Sequence, residues 1–188
     1  MNPFSNEAIS IADISDIPLI KQLLNSAYRG ESSRQGWTTE ADLIAGDVRT
    51  DENDLKQVME KQGSIFLLIR SSETVLQACV NLQQHNNKIY LGMFAVQPYL
   101  QGKGLGKWIL IAAEEYALSL ACNAIYMSVI DARKELIAWY TRHGYLPTGD
   151  INTFVEDSLT GKHLQPLQFM ILQKNLLDKD LSILSSIT

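Results

Sequence analysis

The stretch Gln101-Gly102-Lys103-Gly104-Leu105-Gly106 decides how this chain is read. It follows an apolar run that ends at Val96-Gln97-Pro98 and passes at once into a long amphipathic segment. Strand, glycine turn and helix in direct succession make a site for a diphosphate. Residues without Cβ let successive N–H groups turn inward, and the first helical turn adds unpaired donors and the positive end of its dipole. Lys103 and Lys107 place cations nearby. The spacing Gly-x-Gly-x-Gly is neither the dinucleotide fingerprint nor the Gly-Lys-Ser/Thr triphosphate loop, and Lys107-Trp108 offers no metal-binding hydroxyl.

Outward from this turn, three runs rich in strand-forming residues precede it, at about 64–70, 74–84 and 88–97, separated by polar turns. They predict an antiparallel meander. After the turn, Leu105, Trp108, Ile109, Ala112, Ala113, Tyr116 and Leu120 recur at helical spacing and predict one core-facing stripe. A strand at 124–130, a helix at about 133–143 ended by Gly144, and two strands near 150–156 and 167–174 follow. At the other end, 7–13 reads as a strand and Ser15 or Asp16 as the cap of a helix running to Tyr28. A polar stretch comes next, with a short helix opened by Thr38 or Thr39 and another at about 51–61. The order predicts one α/β (α+β) domain over 1–188, with a core of about 7–175 and a C-terminal tail at 176–188. Its mostly antiparallel mixed sheet carries helices on both faces.

Composition sets the class. The 188 residues are 46% hydrophobic and 20% charged, as in a globular domain, with a net charge of −5 that excludes a duplex nucleic-acid footprint. Cys79 and Cys122 sit in apolar stretches and read as buried free thiols. Neither a secretory signal nor a membrane span is legible, so the expected location is cytoplasmic. His85, His143 and His163 have no carboxylate or thiol at ligand spacing, and no metal is expected.

Two motifs carry a resemblance. Val96-Gln97-Pro98 with Gln101-x-x-Gly104-x-Gly106 resembles the Gln/Arg-x-x-Gly-x-Gly/Ala signature of the GNAT N-acetyltransferases, and Tyr140-Thr141-Arg142-His143-Gly144-Tyr145 resembles their Tyr-x-x-x-Gly-Phe/Tyr signature. The resemblance implies a GNAT-like acyl-CoA fold with acetyl-CoA as co-substrate, its pyrophosphate on the amides of Gln101 to Lys107. It implies pantetheine paired with the backbone of Phe94, Ala95 and Val96, where that strand splays from 124–130. Gly92 would ease a bulge there. Arg133 stands where the family often has asparagine; an arginine there is expected to meet a phosphate instead.

Acyl transfer from a thioester needs a neutral amine and a proton for the leaving thiolate. Tyr140 is the expected acid, because a phenol with a pKa near 10 stays protonated at neutral pH. The strand before the turn carries no carboxylate, so Glu31 and Glu40 are the candidate bases. Glu31 and Trp37, in the segment after the first helix, are expected to hold a cationic amine by ion pairing and cation–π contact. The acceptor would be a small-molecule or peptide amine, and a homodimer is compatible. A non-catalytic acetyl-CoA sensor is the alternative.

Overall fold

The computed structural model describes residues 3–176, so the tail from Leu177 lies outside the described residues. Strands β1 (Ile9–Ile11), β2 (Ser64–Ser72), β3 (Val75–His85), β4 (Lys88–Val96), β5 (Ala124–Ile130), β6 (Leu146–Thr153) and β7 (Gln168–Asn175) form one sheet in the order β1-β2-β3-β4-β5-β7-β6. Every pairing is antiparallel except β4 with β5. Helices α1 (Ile17–Tyr28), α2 (Gly30–Ser33), α3 (Glu52–Glu60), α4 (Leu105–Ser119) and α5 (Lys134–Arg142) complete the chain.

The alternation of β2 explains the layering. Phe66 and Leu68 point to a core closed by Ile20, Leu23 and Leu24 of α1 and by Leu55 and Val58 of α3. Leu67 and Ile69 point the other way, to Ile109, Ala112 and Ala113 of α4. Each such buried aliphatic side chain contributes roughly 1.5–3 kcal/mol. The expected helices on both faces are therefore present. Cys79 and Cys122 are buried and unbridged, and burial pushes the Cys79 thiol up to about 12.

Four local expectations need correction. The first helix is preceded by a single 3-10 turn: Asp16 holds the expected N-cap position but its side chain caps no helix N–H, closing instead a capping box with Asp13 around the turn. The core face of α4 is rotated: Leu110 and Ala117 are buried, whereas Trp108 is 44% and Leu120 37% exposed. Strand β6 starts at Leu146, directly after Gly144, rather than near 150. No helix forms from Thr38 or Thr39; the short helix lies earlier, at α2. Here long-range pairing overrides the local signal, because Ile44 bridges His163 and the Leu164 N–H donates to the Leu43 carbonyl at 2.9 Å.

That pairing matters for the site, since it docks the β6–β7 connection onto the segment after α2. Gly161 sits inside the dock with φ +98, and a Cβ there would lie 2.0 Å from the Ala45 carbonyl oxygen. Gly161→Ala should therefore lower stability by at least about 1–2 kcal/mol, the left-handed strain alone. Urea unfolding checks this; an unchanged midpoint would mean that the dock is not closed in solution.

Candidate active site

Strands β4 and β5 pair only from Lys88 to Tyr90 against Ala124 to Tyr126, although both run further. The cause lies in β4. Its pairing with β3 shifts between Cys79–Ala95 and Asn81–Gly92, which leaves one extra residue in β4. Met93 takes up the distortion at φ +46, one residue beyond the glycine expected to do so. Gly92 still has no room for a side chain: its Cβ would stand 3.0 Å from the Tyr90 ring. A bulge bends its own strand, so β4 turns away and opens a backbone edge. The Tyr28 hydroxyl donates to the Phe94 carbonyl on the bent segment and holds it in place.

Beyond the bend lies the glycine turn. Gly102 and Gly104 adopt φ +79 and +91, with open space where a Cβ would go. From Gly102 to Lys107 no amide has an acceptor among the described residues; the first bond into the helix runs from Trp108 N–H to Gly104 C=O. These donors border a cleft of about 280 Å³ whose walls include Val96, Leu105, Trp139 and His143. Unpaired amides at a helix start, with Lys107 beside them, suit a pyrophosphate. Gln101 is committed elsewhere: its amide nitrogen donates to Thr38 Oγ1 (2.7 Å) and Val96 O (3.2 Å), and its oxygen accepts from Trp37 N–H (2.8 Å). It pins the segment 36–38 to the turn. Gly36 leaves room for this, because a Cβ would come within 2.6 Å of the Gln101 carboxamide and shift it.

A second cavity of about 110 Å³ lies on the other side of the splay. Tyr28, Phe94, Leu136 and Tyr140 line both spaces. Tyr140 is 5% exposed, and its hydroxyl has no hydrogen-bond partner among the described residues. Burial, and then the neighbouring Tyr28, push its pKa well above that of an ordinary phenol, so it stays protonated. Tyr28 is raised to about 12, by burial first and then by Glu40.

The expected residues divide. Phe94, Val96, Gln101, Gly102, Gly104, Leu105, Gly106, Lys107 and Trp37 border the first cleft; Ala95 is turned into the α1 core, and Lys103 is exposed outside the cleft. Glu31 is not brought to either space: its side chain is 92% exposed and pairs with Arg34 at 3.5 Å. Glu40 lines the second cavity, buried, with one oxygen on Arg29 and the other on Arg133. Arg133 is thus turned towards this carboxylate in the second cavity rather than towards the glycine turn. The sequence reading passed over Arg49, Phe154 and Phe169 in that cavity; no motif marks them, and only the fold of the segments at 40–50 and 154–169 gathers them.

The acetyltransferase (GNAT) family model matches residues 20–145, from α1 to the end of the second motif. The chain belongs to this family. Among curated proteins, a spermine/spermidine N(1)-acetyltransferase of Bacillus subtilis is 32% identical over 68 residues, which is 36% of this chain and 45% of that protein. The match therefore spans less than half the length of that relative. Among solved structures, an N-acetyltransferase from Staphylococcus aureus aligns over 92% of this chain and 99% of its own, with a TM-score of 0.65 at 12% identity. A ribosomal-protein alanine N-acetyltransferase from Escherichia coli aligns over 89% and 92%, also at 0.65, with 14% identity. At such identities the likeness is one of fold. Both retain the GNAT architecture that the splayed sheet shows here.

Substitution at Gly104 separates approach from folding. A Cβ there meets nothing within 4 Å, but valine must adopt a left-handed φ, at about 1–2 kcal/mol. Gly104→Val should weaken calorimetric coenzyme A binding at least tenfold, by re-aiming the amides, while melting only a few degrees lower. Unchanged affinity would move the diphosphate site elsewhere.

Proposed function

We propose that this GNAT protein transfers the acetyl group of acetyl-CoA directly to an amine held in the second cavity. The observation that carries the reading is the meeting of the two spaces at Tyr28, Phe94, Leu136 and Tyr140, with an unpartnered tyrosine hydroxyl at the junction. The donor would lie in the first cleft, its diphosphate on the amides of Gly102 to Lys107 and its pantetheine along the opened edge of β4. Coenzyme A supplies an activated thioester; the rest is positioning and proton movement by this chain.

In the reaction the neutral amine nitrogen attacks the thioester carbonyl carbon. A C–N bond forms, the C–S bond breaks, and the thiolate takes the Tyr140 proton. The product nitrogen loses its extra proton to water, and the tyrosinate is reprotonated from solvent. Tyr28 is occupied with Phe94 O, which leaves Tyr140 as the donor at the junction. Both Glu40 oxygens are held by guanidiniums and Glu31 lies outside, so among the described residues no carboxylate is placed to strip the ammonium. The amine therefore arrives neutral by its own ionisation. A sensor that only binds acetyl-CoA would not need the free hydroxyl at the junction.

Two measurements test this. Tyr140→Phe keeps the ring and removes the proton; turnover should fall by roughly 10²–10⁴ with acetyl-CoA binding little changed. A loss below threefold, with chemistry rate-limiting, assigns the proton to water. The pH profile tests the missing base. With the Tyr140 pKa raised, its loss of a proton cannot cut activity below pH about 10. The rate should climb tenfold per pH unit up to the acceptor amine's own pKa and show no inflection of an enzymic base near 6–7. Such an inflection, absent from the acceptor's titration, would show that a protein group takes the proton.

A further inference from the structure

The second cavity has an unusual charge. Arg29, which does not itself line the cavity but stands against Glu40, is fully buried, with Nη1 on Glu40, Nε 3.4 Å from Thr160 O, and a buried Nη2 without a partner among the described residues. Arg133, 6% exposed, gives Glu40 one nitrogen at 3.3 Å. One carboxylate is thus shared between two buried guanidiniums. A third, Arg49, lines the same cavity with its guanidinium 5.9 Å from the Tyr28 ring centroid, and it forms no ion pair within 4.0 Å among the described residues. Asp157, which Arg49 also influences, is already held by the Thr160 N–H and hydroxyl at 2.6 and 2.9 Å. Among the described residues that line the cavity, Arg49 and Arg133 therefore face the single carboxylate of Glu40, which Arg29 holds as well. Positive charge kept from water without an equal negative charge is costly, and a bound anion relieves that cost.

Such a cavity repels a polyamine, whose several ammonium groups would meet Arg49 and Arg133 together. It suits an amine that brings its own negative charge. Because the Tyr28 hydroxyl is at the junction and Arg49 lies over that ring, the charge belongs a few bonds from the reacting nitrogen. Guanidinium forks match a planar carboxylate, and Met93, Met127, Phe154 and Phe169 offer an apolar wall for the remainder. We propose that the acceptor is a small amino carboxylic acid with an apolar side chain, its carboxylate held by Arg49 and Arg133. This assignment rests on the acetyl-transfer reading and narrows its acceptor. It parts company with the polyamine specificity named for the curated relative, whose alignment covers only 36% of this chain.

The test pairs acceptors that differ in one charge. Thiol release from acetyl-CoA is followed with methionine against methioninamide, phenylalanine against phenylalaninamide, and spermidine. Rates are referred to the neutral-amine fraction, since the amides have the more acidic nitrogen. The free acids should exceed both the amides and spermidine by about tenfold or more in kcat/KM, chiefly through KM. In Arg49→Gln the acid-to-amide ratio should fall by about tenfold, and Arg49→Lys should keep part of it. Amides or spermidine equal to the acids, or a ratio unmoved in Arg49→Gln, overturns the proposal. Should nothing be acetylated although acetyl-CoA binds, the catalytic reading fails by itself, and calorimetry on the coenzyme-A-saturated protein decides this one. N-acetylmethionine binding about tenfold tighter than N-acetylmethioninamide sustains it; equal binding overturns it.

Discussion

The extra residue of β4 at Met93 is the constraint on which the site depends. A parallel pair in register along its whole length would bury the edges of β4 and β5 against each other. With a bulge at Met93–Phe94, the two strands part after Tyr90 and Tyr126, and the backbone beyond them is free. Both cavities are consequences of that parting, one on each side of Phe94 and Tyr140. The strain of a non-glycine residue at φ +46 is held next to Phe94, whose carbonyl accepts from the Tyr28 hydroxyl. Helix α1 therefore does more than cover one face of the sheet, since its last residue fixes the opened edge.

The two sides of the junction differ in their electrostatics. The cleft at the glycine turn offers neutral dipoles, six unpaired amides from Gly102 to Lys107, with one lysine beside them. The second cavity is lined by the guanidiniums of Arg49, before α3, and Arg133, at the start of α5, with the buried Arg29, after α1, against Glu40. Glu40 ties two of them together and closes the segment after α2 over the cavity. Removing Glu40 would leave Arg29 buried and uncompensated, so its role belongs to the architecture of the cavity as much as to its chemistry.

Much of this was legible in the sequence where local rules suffice. The glycine turn, the meander, the Tyr140 motif and the Gly144 stop depend on residues close in the chain, and the structure has them where the spacing puts them. Errors arose where distant groups decide. Thr38 and Thr39 look like helix caps, but the chain makes only one turn from Glu40 to Ile44 before the bridge between Ile44 and His163 takes it over. Trp108 fits a helical stripe by spacing, yet the buried face of α4 adds Leu110 and Ala117 to Ile109, Ala112 and Ala113 and leaves Trp108 44% exposed. Glu31 and Glu40 were equivalent as letters. Only the fold distinguishes a surface carboxylate from one buried between residues 29 and 133, because burial and pairing are properties of the packed chain.

The same reasoning limits what net charge can say. A chain at −5 invites a cationic partner, and the acids in the segment after α1 invite it again. Yet Glu31 and Asp42 both pair with Arg34 at the surface, where solvent screens them and their worth is small. Inside, where the dielectric is low and each charge acts strongly, the count is reversed: among the described residues Arg49 and Arg133 line the second cavity against the one carboxylate of Glu40. Specificity is set by the few charges that the ligand displaces water from, not by the many that face bulk solvent. In the proposed reading, the sign of the acceptor's second charge follows from Arg49 and Arg133 rather than from the composition.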